Sequence, residues 1–204
     1  MAILKPNKTL QIPGKDITYA YIHILPASGS SKPTLLFIHG FPATSHEWQP
    51  QIEFFSALGY GIIAPDCLGY GGTSKPLDVA LYIGKAMASD LVSILDHEKI
   101  ATVIGIAHDW GTYLLSSLVT WHESRVEKLV FMSVPYSPPG RKLDVYAINR
   151  STKAKMGYEL LGYQVFLASD GAGKIVGDHV SPNSLFYFRP FEKYKFYVVI
   201  VNMS

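Results

Sequence analysis

The sequence predicts an α/β fold: a mostly parallel sheet with helices on both faces, followed by part of a helical lid. Two patterns and one bulk property lead there. Short apolar runs at Thr34–Ile38, 61–64, 101–107 and Val126–Met132 have the length of strands buried on both faces. Stretches of helical period at 47–58, 82–97 and 110–121 alternate with them, and that alternation builds a parallel sheet with covered faces. With 204 residues, 48% hydrophobic and 17% charged, the chain can bury a core.

Each element has a local reason. Residues 17–25 alternate around Tyr19 and Tyr21 in the manner of an edge strand, and 28–32 is a turn cluster. Strand Thr34–Ile38 runs into His39-Gly40-Phe41-Pro42. The helix at 47–58 is closed by Gly59, and Pro65-Asp66 ends the strand at 61–64. The glycine-rich 68–76 is loop. Met87, Leu91, Ile94 and Leu95 give 82–97 its apolar helical face. After Pro135 the rhythm breaks. Ser137-Pro138-Pro139-Gly140 reads as a linker, and 143–179 as helices and loops carrying Tyr146, Tyr158 and Tyr163. Within it, 171–174 echoes a phosphate loop but lacks that motif's first Gly and its Ser or Thr, so it reads as plain loop. The tail at 186–204 has no clear place in either layer. The expected division is a core at 1–136, a partial lid at 137–188 and an atypical tail at 189–204.

Composition narrows the function. A net charge of +2 without a basic cluster argues against nucleic acid and against an acidic membrane surface. The lone Cys67 excludes an intramolecular disulfide and a multi-cysteine zinc site. No apolar run reaches bilayer length, and the N-terminus has no signal-peptide stretch. A cytoplasmic protein acting on a small molecule, without cofactor or metal, is the expectation; the sequence sets no oligomeric state.

The chemistry centres on Gly105-Ile106-Ala107-His108-Asp109-Trp110-Gly111. A single residue at a strand-to-helix corner, with small residues two places either side, is the pattern of a nucleophile elbow. A serine there needs a base to become nucleophilic, whereas a carboxylate is already an anion at neutral pH. Such a carboxylate suits attack on saturated carbon, giving an alkyl ester that water must then hydrolyse. The competing reading is that Asp109 merely caps the following helix. His39-Gly40-Phe41-Pro42 adds a second motif at a strand end. Its Phe41 N–H, with that of Trp110, would form a two-donor oxyanion hole. In a parallel sheet both motifs fall at the carboxyl ends of strands, where ligands bind.

With these motifs on the page, the chain resembles the epoxide hydrolases of the α/β-hydrolase superfamily. The matching pieces are His39-Gly40-Phe41-Pro42 with Trp48, Asp66 with Gly69-Tyr70-Gly71, His108-Asp109-Trp110-Gly111, and Gly162-Tyr163-Gln164. The resemblance implies the α/β-hydrolase fold, Asp109 as nucleophile, and Phe41 and Trp110 as oxyanion donors. It implies Tyr163 as one of two lid tyrosines that hydrogen-bond the epoxide oxygen as the ring opens, the second not being assignable from the sequence. His39, Gly40, Pro42 and His108 are expected around the pocket, and the substrate is expected to be a small apolar epoxide. A haloalkane or fluoroacetate dehalogenase shares the elbow, and a non-catalytic ligand-binding fragment is a further alternative. In the superfamily the acid and histidine follow the lid on the last strands. Those strands are expected to be missing here, leaving Val126–Met132 as an open edge and ester formation without turnover; His108 is separately expected to point from the elbow into the core.

Overall fold

The computed structural model describes residues 4–138, 140, 143–179 and 198–202. Pro139 of the predicted linker and residues 186–197 of the predicted tail lie outside them. The chain divides into two units, Met1–Pro139 with Lys193–Ser204, and Gly140–Glu192.

The first unit is built on one sheet in the order β1-β2-β4-β3-β5-β6-β7. Its strands are β1 (Lys8–Gln11), β2 (Thr18–Ile24), β3 (Thr34–Ile38), β4 (Gly61–Pro65), β5 (Val103–His108), β6 (Val126–Met132) and β7 (Val198–Asn202). Strands β4, β3, β5 and β6 run parallel, while β1, β2 and β7 pair antiparallel at the flanks. Helices α1 (Gln49–Ala57), α2 (Gly84–His97) and α3 (Gly111–Trp121) connect the parallel strands. The α/β architecture predicted from the apolar runs is therefore present.

Strand period explains the two cores. Leu36 and Ile38 of β3 pack with Leu91 and Ile94 of α2 and Leu115 and Leu118 of α3. Leu35 and Phe37, pointing the other way, pack with Trp48, Ile52, Ile62 and Ala64. Gly105 lets α3 sit close on β5: a β-carbon there would meet the Leu115 side chain. The register places Ile38 opposite Ala107, so β3 and β5 end side by side.

Three expectations are corrected. Residues 17–25 do not form an edge, because β2 lies between β1 and β4, with Tyr19 and Tyr21 fully buried. The sequence signal for β1 is weak, four mostly exposed residues being too short for a visible period. Strand β6 is not an open edge: β7 pairs with it antiparallel, Val130 opposite Ile200, which gives part of the tail a place in the sheet. Residues 172–174 are not loop but the first turn of α6 (Ala172–His179).

The second unit contains α4 (Val145–Met156), α5 (Gly162–Leu167) and α6. Asp144 caps α4 by accepting the Ala147 N–H at 2.8 Å, and Gly157 closes it in the left-handed conformation. The buried Asn149 accepts the Leu161 N–H at 2.7 Å and so ties the α4–α5 connection to α4.

Candidate active site

Strand β5 ends at His108, and Asp109 turns the chain with φ +51°, a left-handed conformation uncommon for any residue but glycine. Strain of that kind, about 1–3 kcal/mol, persists only where neighbours over-determine it. Here the Asp109 N–H donates to the Met132 carbonyl at 3.2 Å. Its own carbonyl accepts the Thr112 N–H at 3.0 Å and the Thr112 hydroxyl at 2.6 Å. Two glycines let the turn close. A β-carbon on Gly111 would lie 2.6 Å from the His39 carbonyl oxygen, and one on Gly40 would lie 2.5 Å from the Asp109 β-carbon.

The Asp109 carboxylate does not cap α3. Its Oδ1 accepts the Phe41 N–H at 2.9 Å, across to the loop that follows β3. Trp110 opens α3 in right-handed conformation. Thus the carboxylate, the Phe41 donor, Gly40 and Trp110 meet at one corner. Pro42 follows in the next turn, joined to Phe41 by a cis peptide.

The two histidines of the motifs differ. His39 is buried, and the Cys67 N–H donates to its Nε2 at 2.8 Å. Its proton therefore sits on Nδ1, which donates to the Gly40 carbonyl at 2.9 Å. Burial lowers its pKa, so it is a neutral brace for the Gly40 turn. His108 does not point into the core. Its side chain is 32% exposed, with Nδ1 3.7 Å from Oε2 of Glu47. The Glu47 carboxylate raises the His108 pKa, against the lowering effect of burial.

Glu47 was missed in the sequence. An acid near a helix start reads as a partner for the helix dipole. Here it also accepts the Gly40 N–H at 3.3 Å through Oε1, a contact within the β3–α1 connection that no local pattern announces. Asp66 likewise joins two loops by accepting the Ser45 N–H at 2.9 Å and the Gly72 N–H at 2.8 Å. Burial pushes the Cys67 thiol up, which makes it an unreactive group and not a second nucleophile.

A cavity of about 220 Å³ opens beside the elbow, with His39, Gly40, Trp110 and Gly111 in its wall. Tyr163 belongs to the second unit, at the start of α5, where Gln164 Nε2 donates to its phenolic oxygen at 3.3 Å. Among the described residues no cluster of three or more His, Cys, Asp or Glu side chains could hold a metal ion. No described helix is long and apolar enough to cross a membrane.

Comparison with known proteins gives the family. A family profile described as alpha/beta hydrolase fold matches residues 33–162. The chain is 37% identical over 108 residues to an epoxide hydrolase of Caballeronia sordidicola, covering 53% of this chain and 33% of that protein. It is 31% identical over 156 residues to the epoxide hydrolase srdG of Neurospora crassa, covering 74% and 46%. Among solved structures, the epoxide hydrolase VrEH1 of Vigna radiata superposes with a TM-score of 0.68 at 26% identity, covering 85% of this chain and 51% of that one. The chain thus spans about half or less of the length of these relatives.

Proposed function

Because the chain belongs to the α/β-hydrolase fold family, we propose that it opens epoxides by carboxylate attack, with Asp109 as nucleophile. One observation carries this: a carboxylate at a strained elbow has one oxygen already held by the Phe41 N–H at 2.9 Å. That bond separates the roles of the two oxygens. Oδ2 attacks the epoxide carbon, a new C–O bond forms, and the ring C–O bond breaks to an alkoxide. Oδ1 becomes the carbonyl oxygen of the ester. It rests where charge gathers when water later attacks that carbonyl, so the Phe41 donor is preorganised for the second step. The Trp110 N–H is the proposed second donor. Tyr163 is the proposed proton source for the alkoxide, on the strength of the resemblance around Gly162-Tyr163-Gln164.

The reading includes slow release of the ester. His39 has both nitrogens bonded, to the Gly40 carbonyl and to the Cys67 N–H. His23 pairs with Glu98, and His122 sits beyond the far end of α3, against Ser89. None of these can activate water at Asp109. The small apolar substrate, the cytoplasmic location and the division into core, partial lid and tail belong to the same proposal.

Incubation with styrene oxide followed by intact mass tests it. The expected result is a mass gain of one epoxide, mapped to Asp109 and absent in Asp109→Asn. No adduct with epoxides, but one with an alkyl halide, would move the protein to the dehalogenase reading. Rapid multiple turnover would remove the slow-release step.

A further inference from the structure

Gly40 is the pliable point of the reacting corner. It is buried, and a β-carbon there would lie 2.5 Å from that of Asp109. A glycine leaves the backbone free to rotate on both sides of its α-carbon, so the turn must be held from outside. Oε1 of Glu47 accepts the Gly40 N–H at 3.3 Å. The His39 Nδ1–H donates to the Gly40 carbonyl at 2.9 Å, and the Phe41 N–H donates to Asp109 Oδ1 at 2.9 Å.

The last of these bonds changes during the proposed reaction. Alkylation turns the Asp109 carboxylate into a neutral ester, and a bond to a charged acceptor is roughly twice as strong as one to a neutral acceptor. The Phe41 N–H is therefore held least just before attack on the ester makes an oxyanion of Oδ1 and needs it most. His39 and Glu47 do not react, so they carry the turn through that interval. Glu47 also reaches the other side of the corner. It sits in the short turn Ser45–Trp48 before α1, and its Oε2 lies 3.7 Å from Nδ1 of His108, the residue before Asp109. One carboxylate thus spans from the donor's loop to the nucleophile's strand. The charged groups that raise the His108 pKa are Glu47 and Asp109. Of the two, Glu47 keeps its charge once the ester has formed.

We propose that Glu47 is a positioning residue: anchored on His108, it holds the Gly40 peptide so that the Phe41 N–H stays aimed at Oδ1 after Asp109 has become an ester. This rests on the epoxide reading for the ester, but the aim of the Phe41 N–H is testable without one.

The first arm uses Asp109→Asn, whose amide oxygen is a neutral acceptor like that of the ester, and reads hydrogen exchange of the Phe41 amide by NMR. Adding Glu47→Ala should speed that exchange about tenfold by local opening. Adding Glu47→Gln, whose amide oxygen still accepts the Gly40 N–H, should leave it close to that of Asp109→Asn alone. The Phe131 amide in β6 separates local from global opening. Glu47→Met, similar in bulk but without an oxygen, serves if the alanine variant is unfolded.

The second arm forms the styrene oxide adduct on Asp109 and cleaves it with hydroxylamine. The hydroxylamine nitrogen attacks the ester carbonyl through the same oxyanion. The acyl C–O bond then breaks, the diol leaves with the proton, and a hydroxamate stays on Asp109, as intact mass shows. Glu47→Ala should slow cleavage about tenfold more than it slows adduct formation, the loss expected of a badly aimed oxyanion donor. Glu47→Gln should recover most of that rate at pH 9. At pH 6 His108 is protonated and its ionic pair with Glu47 tightens the anchor, so the parent should outpace Glu47→Gln by about threefold. Phe41 exchange unchanged by Glu47→Ala and Glu47→Met overturns the proposal. So does cleavage slowed no more than formation, or a parent-to-glutamine ratio equal at the two pH values; each leaves the epoxide reading standing wherever the adduct forms. Phe41 exchange sped by Glu47→Ala and not by Glu47→Gln, with no adduct from styrene oxide, supports the positioning role and overturns the epoxide reading.

Discussion

Replacing Asp109 separates its chemical role from its structural one. Asp109 sits at φ +51°, and its Oδ1 accepts the Phe41 N–H at 2.9 Å. Asn keeps both features: it tolerates the left-handed conformation as well as Asp does, and its amide oxygen can accept the same N–H. Only the charge on the acceptor is lost, and at a half-buried site that difference is about 0.5 kcal/mol. Ala loses more. The missing hydrogen bond costs about 1 kcal/mol, and the left-handed preference of Asp over Ala adds about 1 kcal/mol. Asp109→Ala should therefore be destabilised by about 2 kcal/mol, a fall of roughly 4–8 °C in Tm for a chain of this size. Asp109→Asn should lie within about 1 kcal/mol of the parent. Urea unfolding followed by circular dichroism gives both values, and intact mass after epoxide treatment should show no adduct in either variant. If Asp109→Ala were as stable as Asp109→Asn, neither the Phe41 bond nor the turn conformation would be holding the corner together. An adduct at full rate in Asp109→Asn would place the nucleophile elsewhere.

Other parts of the corner respond in different ways. Gly111→Ala forces a β-carbon to 2.6 Å from the His39 carbonyl, and overpacking against backbone should destabilise by about 3 kcal/mol; an unchanged urea midpoint would show that the loop yields freely. His39 has a folded pKa below its unfolded value of about 6.5, so the unfolded chain takes the proton first. Its contribution to stability is complete above that pH and is lost as pH falls below it, so the urea midpoint should drop between about pH 7 and pH 5. For His108 the sign is opposite: its raised pKa gives stability present below about 6.5 and lost on raising the pH, and Glu47→Gln should erase that part when the two midpoint–pH curves are subtracted. Cys67, with its thiol buried and its pKa raised, should react with iodoacetamide at pH 8 at least tenfold more slowly in the folded chain than in urea.

Much of this was readable in one dimension. Strands Thr34–Ile38 and Val126–Met132 have the predicted limits, because an apolar run between turn residues carries its own ends. The corner at Asp109 announced itself through Ala107 and Gly111, since a tight turn excludes side chains from its neighbours wherever the rest of the chain goes. Periodicity served less well at the flanks. The alternation around Tyr19 and Tyr21 does not reveal how many partners a strand has, and β1, which covers it, is too short to show a period.

What the sequence determined by itself was therefore local: which segments extend, which coil, and where the backbone must turn sharply. What the tertiary structure decided was the destination of the polar groups. Asp109 could have bonded to the helix that follows it. Instead the parallel register of β3 and β5, with Ile38 opposite Ala107, brings the Phe41 N–H from 68 residues away to its carboxylate. Glu47 could have been a solvated acid near a helix start; the same loop brings it between Gly40 and His108. A hydrogen-bond donor is satisfied by whichever acceptor the packed chain puts within about 3 Å, and that choice depends on the whole sheet and on no single stretch of sequence.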